Sequence, residues 1–535
     1  MAAKSTYAAE IAVSPEQIPE VKEPMPVLML GAKIVAPDAL LRDIIGAVSP
    51  NAVIREFGHA GARAAHDGQR LVAFINPKTG ESSVFPALEA LKPGPELADR
   101  ARRVAAHLAQ DTSIFPEDGT EIAALAPVTL MGARRSRDGK RTSPAEYLAF
   151  ARYERRVDGL PVFGPGTTAM IAVAADDAVH GFAHRWRSVA LRGEEVTPLP
   201  RSEIVAAIRT QLAAGAKTAE VTVDKIRLGY YGGEGQLLQP VYRFEATLVS
   251  RAHRLRVANR RVFGHLSIGK APEPLPVLGA YPGELPAEPC NRLYAEPLKS
   301  LTPSDPTVGR YVVRDEDQGW VASANSFMAN LQQAAILGSP IPFTDSQYFW
   351  AEPFEFLAEK NAFVNAVNIA LTEVHGNWGL FSTRDNHDDL VLLDRIPAGG
   401  YGGVGALAYW IVHACELMPT QTDESTSFDA WWKIFNGLHA AMGYRTEMWI
   451  DDGVTGPFGL FVGLGAPVIS AWFSSIAANS NYGGNDAGYF DCNRQRWEPM
   501  GRASAIAVCG HGDDTAKHIA PLGPPSCLTE WWFGD

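Results

Sequence analysis

The chain has 535 residues, 46% of them hydrophobic and 20% charged, with a formal net charge of -12 at pH 7. That length exceeds a single hydrophobic core, and the composition is that of an ordinary globular protein in about two to four domains. The acidic balance argues against non-specific binding to nucleic acid or an anionic membrane surface, because phosphate contacts need clustered Lys and Arg.

The basic groups at Arg134-Arg135-Ser136-Arg137 and between Arg251 and Arg261 are short and interrupted, and read as solvated surface. No apolar run is long enough to span a bilayer, and the opening MAAKSTYAAEIAVSPEQIPEVKEP lacks the apolar core of a signal peptide. A cytoplasmic protein is expected, with no membrane partner. Five cysteines (Cys290, Cys415, Cys492, Cys509, Cys527) without a C-x2-C spacing signal no structural zinc, and neither a metal nor a cofactor is expected. If Cys415 is a free thiol, the other four have the number for two disulfides, with the pairing left open.

Residues 1–25 are polar and Pro-containing and read as a tail. From 26 to 90, strands at Val27 to Leu30 and Leu71 to Ile75 flank a helical stretch, Asp38 to Ile45, and Pro77-Lys78-Thr79-Gly80 is a turn, so a small α+β unit is expected. A second α+β unit covers 95–270, opening with a helical Glu96 to Gln110. Between 271 and 306 the chain is crowded with Pro, which fixes φ and removes backbone donors, so an extended linker is expected there.

From 307 to 535 apolar runs become frequent. Val367 to Val374 ends in His375-Gly376-Asn377, and Ala406 to Val412 ends in His413-Ala414-Cys415. Ser427 is a good N-cap for a helix over Phe428 to Asn436, and Gly437 a good stop. Phe458, Phe461, Leu464, Val468, Trp472 and Ile476 follow a helical period. Strands alternating with helices imply a mainly parallel α/β sheet flanked by helices, whose strand tips gather polar groups in one crevice. His375 and Cys415 both fall at such tips.

Two resemblances attach to these patterns. Tyr153-Glu154-Arg155-Arg156-Val157-Asp158-Gly159-Leu160-Pro161-Val162, with later strands at Thr168 to Ala175 and Leu238 to Glu245, resembles the propeptide-type domains of the PepSY and fungalysin/thermolysin-propeptide group. The strand ending in His375-Gly376, followed some forty residues later by the strand ending in Ala414-Cys415, resembles the caspase, gingipain and legumain group of cysteine peptidases. So do the steps Trp432 to Tyr444 and Ala466 to Trp472. The residues before His375, Thr372-Glu373-Val374, depart from the group's apolar block, and its nucleophile pentapeptide is absent.

This second resemblance implies a caspase-like fold over 307–535 and a peptide or protein substrate. It also implies Cys415 as nucleophile, His375 as proton carrier, and the N–H groups of Gly376 and Cys415 as oxyanion donors. His413 is a second candidate base, although a core histidine explains it more simply. Asp385, Asp451 and Glu373 are candidate pocket carboxylates for a basic side chain. The propeptide-like region implies intramolecular inhibition by the N-terminal domains. The alternatives are a non-catalytic binding or scaffold protein on the same fold and, behind it, a metal site built from His375, His413 and Cys415.

Overall fold

A computed structural model describes residues 11–534 except 58–60, 214, 218, 251–259, 279–282, 290–304, 315–318, 338–340, 385–388, 421–426, 480, 482–487 and 492–494. Asp385, Cys290, Cys492 and most of the Pro-rich 271–306 stretch lie outside the described residues.

In the N-terminal half, β1 (Met25–Ile34) precedes α1 (Asp38–Val48), whose Leu41, Ile44, Ile45 and Val48 share one buried stripe at i, i+3, i+4 and i+7. Next come β2 (Glu81–Val84), α2 (Leu97–Leu108), β3 (Val128–Ser136), β4 (Ala145–Val157) and β5 (Val179–Val196). These strands pair antiparallel, β1 and β2 with β5 and β3 with β4. Beyond α3 (Arg201–Leu212), the strands β6 (Ala219–Gly232), β7 (Leu237–Ser250) and β8 (Arg260–Ser267) form an antiparallel meander.

The C-terminal half opens with β9 (Thr307–Val312), α4 (Gly319–Ile336), β10 (Thr344–Trp350), β11 (Ile369–Glu373), β12 (Tyr409–His413) and β13 (Ala440–Tyr444). These five strands lie in the order β10-β9-β11-β12-β13 and are parallel. Then α5 (Asp452–Leu464) and α6 (Val468–Ala478) lead to β14 (Ala503–Val508) and β15 (Cys527–Phe533), both of which pair antiparallel.

The expected caspase-like, mainly parallel α/β sheet is therefore corrected. The strands belong to one large mixed sheet, mostly antiparallel and flanked by helices, with parallel pairing confined to a few members. It does not stop at β14 and β15, because β15 pairs antiparallel with β3 of the N-terminal half, Cys527 opposite Ser136 and Phe533 opposite Leu130. Parallel neighbours need long crossovers, whereas β14 and β15 are joined by a returning loop, which reverses direction.

Two helix expectations also change. Over Phe428 to Asn436 only a short turn and a single helical turn, Trp431–Ile434, form. The Ile434 carbonyl is taken by Tyr401 N–H at 2.8 Å, so the helix has nowhere to propagate. The long periodic run is two helices, parted where Gly465 adopts φ +93 ahead of Pro467.

Helices α4, α5 and α6 cover one face of the parallel run, where Phe327 stacks on Phe458 at 5.8 Å and Phe458 meets Trp472 edge-on at 5.4 Å. The other face packs Trp410 against Tyr401 at 5.0 Å. No helix among the described residues is long and apolar enough to cross a membrane.

Candidate functional site

The register of β11 on β12 sets the site. Glu373 is the Cα partner of His413, and the Val374 N–H reaches the His413 carbonyl at 3.4 Å. The chain segments leaving both strands therefore run side by side at the same edge. There, a Cβ on Gly376 would stand 2.3 Å from the Cys415 carbonyl oxygen and 2.8 Å from Ala414 Cβ. Only glycine fits so close an approach. His375 and Cys415 are thus carried on neighbouring strand tips.

His375 is buried, 4% exposed, with its ring edge-on to Trp320 at 5.3 Å, and it begins a small hairpin, pairing with Ser382. Cys415 is half-buried and is the one free cysteine among the described residues. Its Sγ accepts from Met448 N–H at 3.5 Å. Burial, reinforced by the nearby Glu447 carboxylate and then Glu416, pushes this thiol far above its ordinary range.

Strand β8 of the N-terminal half reaches the same place. The Arg261 guanidinium pairs with Glu447, and Phe263 packs edge-on against Trp449 at 5.6 Å. Glu416, whose backbone is left-handed at φ +49, is held by the Tyr489 hydroxyl at 2.6 Å.

His413, the second candidate base, points into the sheet's helical layer. Its Nδ1 lies 2.6 Å from Glu373 Oε2, and Ser323 Oγ donates to Glu373 Oε1 at 2.7 Å. All three residues are fully buried. Glu373 is consequently spent on His413 and Ser323 instead of facing a pocket. Asp451 caps α5, accepting from Gly453 N–H, Asn479 Nδ2 and Asn481 Nδ2 at 2.8, 2.9 and 2.7 Å.

Asp451 also borders a cavity of about 350 Å³ between the N-terminal half and helices α5 and α6, lined among others by Glu81, His184, Arg185, His265 and Asp452. Sequence reasoning missed most of this set. The contributing residues sit on β2, β5, β8 and α5 at unrelated spacings, and of the cavity's carboxylates only Asp451 was singled out from the sequence.

His184 sits in this wall, 1% exposed, its Nε2 on the Ile114 carbonyl at 2.9 Å. Burial pulls its pKa down to about 4. The unfolded ring protonates near its ordinary value, whereas the folded ring does so only near pH 4. Its contribution therefore removes stability as pH falls from about 6.5 towards 4, up to roughly 3 kcal/mol. In His184→Gln, urea unfolding at neutral pH and near pH 4 should show that loss reduced by about 2 kcal/mol or more relative to wild type.

The group His439, His511 and Asp514 brings three ligand-type atoms within 4.8 Å of one another. Both Nδ1 atoms contact the same Asp514 oxygen, at 2.6 and 2.8 Å, and His439 Nε2 contacts the Ala520 carbonyl at 2.9 Å. The Asp514 carboxyl is raised by burial but held lower overall by these two imidazole hydrogen bonds. The cluster staples the 509–526 loop, whose ends the Cys509–Cys527 disulfide joins.

Residues 312–499 match the family model of a domain of unknown function, DUF6345. No curated protein matches. Among solved structures, an uncharacterized protein from Eubacterium rectale ATCC 33656 is similar over 46% of this chain and 85% of that chain, at 12% sequence identity and a TM-score of 0.29.

Proposed function

We propose that the chain is a cysteine-dependent acyl-transferring enzyme, a peptidase or peptide ligase, present here in a latent form. The reading rests on the juxtaposition of the two strand tips, with Gly376 pressed against the Cys415 backbone. In the active form, Cys415 Sγ attacks a peptide carbonyl carbon, and His375 delivers the proton that lets the amine leave. Water or a second amine then releases the thioester. The Gly376 and Cys415 N–H groups supply the oxyanion donors, each worth about 3 kcal/mol in comparable sites.

Latency follows from the surroundings of the thiol. Its raised pKa keeps it protonated, and β8 covers the loop beside it through Arg261–Glu447 and Phe263–Trp449. The N-terminal half is the intramolecular inhibitor in this reading, and a cut in the Pro-rich stretch, which leaves β15 on β3, is the release because it frees the end of β8 to leave the Cys415 loop. The Cys509–Cys527 disulfide favours an oxidising compartment over the cytoplasm expected at the outset.

The test compares iodoacetamide labelling of Cys415 in the intact, the nicked and the denatured chain, together with hydrolysis of a fluorogenic peptide library. The intact chain should label more slowly than the denatured one, and the chain nicked between Ser267 and Thr307 about tenfold faster or more. Cys415→Ser should abolish hydrolysis, and His375→Ala should remove the acceleration. A nicked chain in which Cys415 still labels no faster than in the denatured control ends this reading. The non-catalytic binding protein would then replace it, a reading that the same raised thiol pKa favours.

A further inference from the structure

The cavity beside α5 joins anionic groups to apolar walls in a way the Cys415 chemistry does not use. Asp452 follows the α5 N-cap and keeps an exposed surface while lining the concavity. Surrounding protein and the neighbouring Asp451 charge push its carboxyl up to about 6. Among the described residues no Lys or Arg pairs with it. Glu81, on the facing strand β2, is likewise raised by burial, against the opposing pull of Arg185 and a hydrogen bond from Ser83 Oγ at 3.4 Å. Arg185, the one lining arginine among the described residues, is forked onto Glu234 at 2.6 and 2.7 Å and also acts on the Glu81 charge. Burial pulls His184 down, and burial with the nearby Arg243 and Arg227 charges pulls His265 down, so neither ring brings positive charge at neutral pH.

A second feature points to a missing occupant. Ser474 and Ser475, in the second half of α6, are 4% and 2% exposed and line the cavity, yet their hydroxyls have no hydrogen-bond partner among the described residues. His265 Nε2 is in the same condition at 4% exposure. Unmet buried polar atoms carry a cost that a ligand or bound water relieves. Aromatic rings also line it, with Phe85 edge-on to Phe461 at 4.8 Å and Phe182 and Phe263 elsewhere in the wall.

We propose that this cavity binds a small organic cation, with Asp452 and Glu81 as its anionic contacts, the phenylalanine rings against its carbon skeleton, and the two serine hydroxyls as further polar contacts. A carboxylate without a basic partner in a partly desolvated space, as Asp452 is, attracts a cation more strongly than on an open surface, and aromatic faces add to that. A cavity of about 350 Å³ falls in the range of metabolite pockets. The inference does not depend on Cys415 being catalytic.

The test is calorimetric titration of the full chain at mildly alkaline pH with agmatine, spermidine and choline, and with the neutral alcohol isostere of choline. At least one cation should bind while the neutral isostere does not. Asp452→Asn, a substitution at an exposed position, should weaken that binding about tenfold, as expected for loss of one ionic contact. Glu81→Gln should weaken it in the same direction, and Cys415→Ser should leave it unchanged. Absence of binding by every cation, equal binding of the neutral isostere, or unchanged affinity in Asp452→Asn would overturn the proposal. So would a short, terminally blocked lysyl peptide that binds more tightly than every free cation.

Discussion

Glu373→Ala should cost about 3–5 kcal/mol of stability, among the largest losses available to a single side chain here. Glu373 is fully buried, with one carboxylate oxygen on His413 Nδ1 and the other on Ser323 Oγ. Truncation strips both partners at once in a place water does not reach. The His413 ring, between Trp320 and Trp472 at 6.3 Å each, already has its Nε2 without a partner among the described residues. Ser323 Oγ keeps a second contact, Thr455 Oγ1 at 2.9 Å, so the loss falls mainly on His413. Glu373→Gln keeps the shape and one acceptor, and should cost only about 1–2 kcal/mol. Urea unfolding followed by Trp fluorescence reads both, since two of the flanking rings are tryptophans. A Glu373→Ala protein within about 1 kcal/mol of wild type would mean that the triad carries no weight in the core.

Gly376→Ala should also be severe, by a different route. The added methyl would meet the Cys415 carbonyl oxygen at 2.3 Å and Ala414 Cβ at 2.8 Å, and the obstacle is partly backbone, which cannot swing aside. Overpacking of this kind costs about 1–3 kcal/mol, and here it would also part the two strand tips. Three residues on, Gly379 offers a control. Its φ is +68 with open space around the Cβ position, so Gly379→Ala meets backbone strain alone, about 1 kcal/mol. Urea unfolding and the Cys415 labelling rate separate the two variants. Only Gly376→Ala should change the labelling, and equal behaviour of both would show that the strand tips are not in register.

The contrast between what the residues foretold and what they did not has a physical basis. Strand β12 was legible because a short run of Leu, Ala, Tyr, Trp, Ile and Val, rich in β-branched and aromatic residues, reads as a buried strand. Helix α1 was legible too, its apolar residues falling on one stripe. Strand direction was not. Ala503–Val508 and Cys527–Phe533 are buried almost throughout, and a strand covered on both faces reads the same whichever way it runs. The burial of Cys415 was invisible as well, because Arg261 and Phe263, which help to cover its loop, lie far upstream across the Pro-rich stretch.

The pairing of β15 with β3 has a consequence for biosynthesis. The first strand of that pair leaves the ribosome long before its mate. Until β15 has emerged, β3 offers an open edge on the side that β15 later fills, an invitation to pair with the wrong chain. The finished sheet is a product of high contact order and is completed slowly. A chaperone that shields an exposed edge during synthesis is therefore the cellular help this fold should need most, and a variant lacking β15 should aggregate.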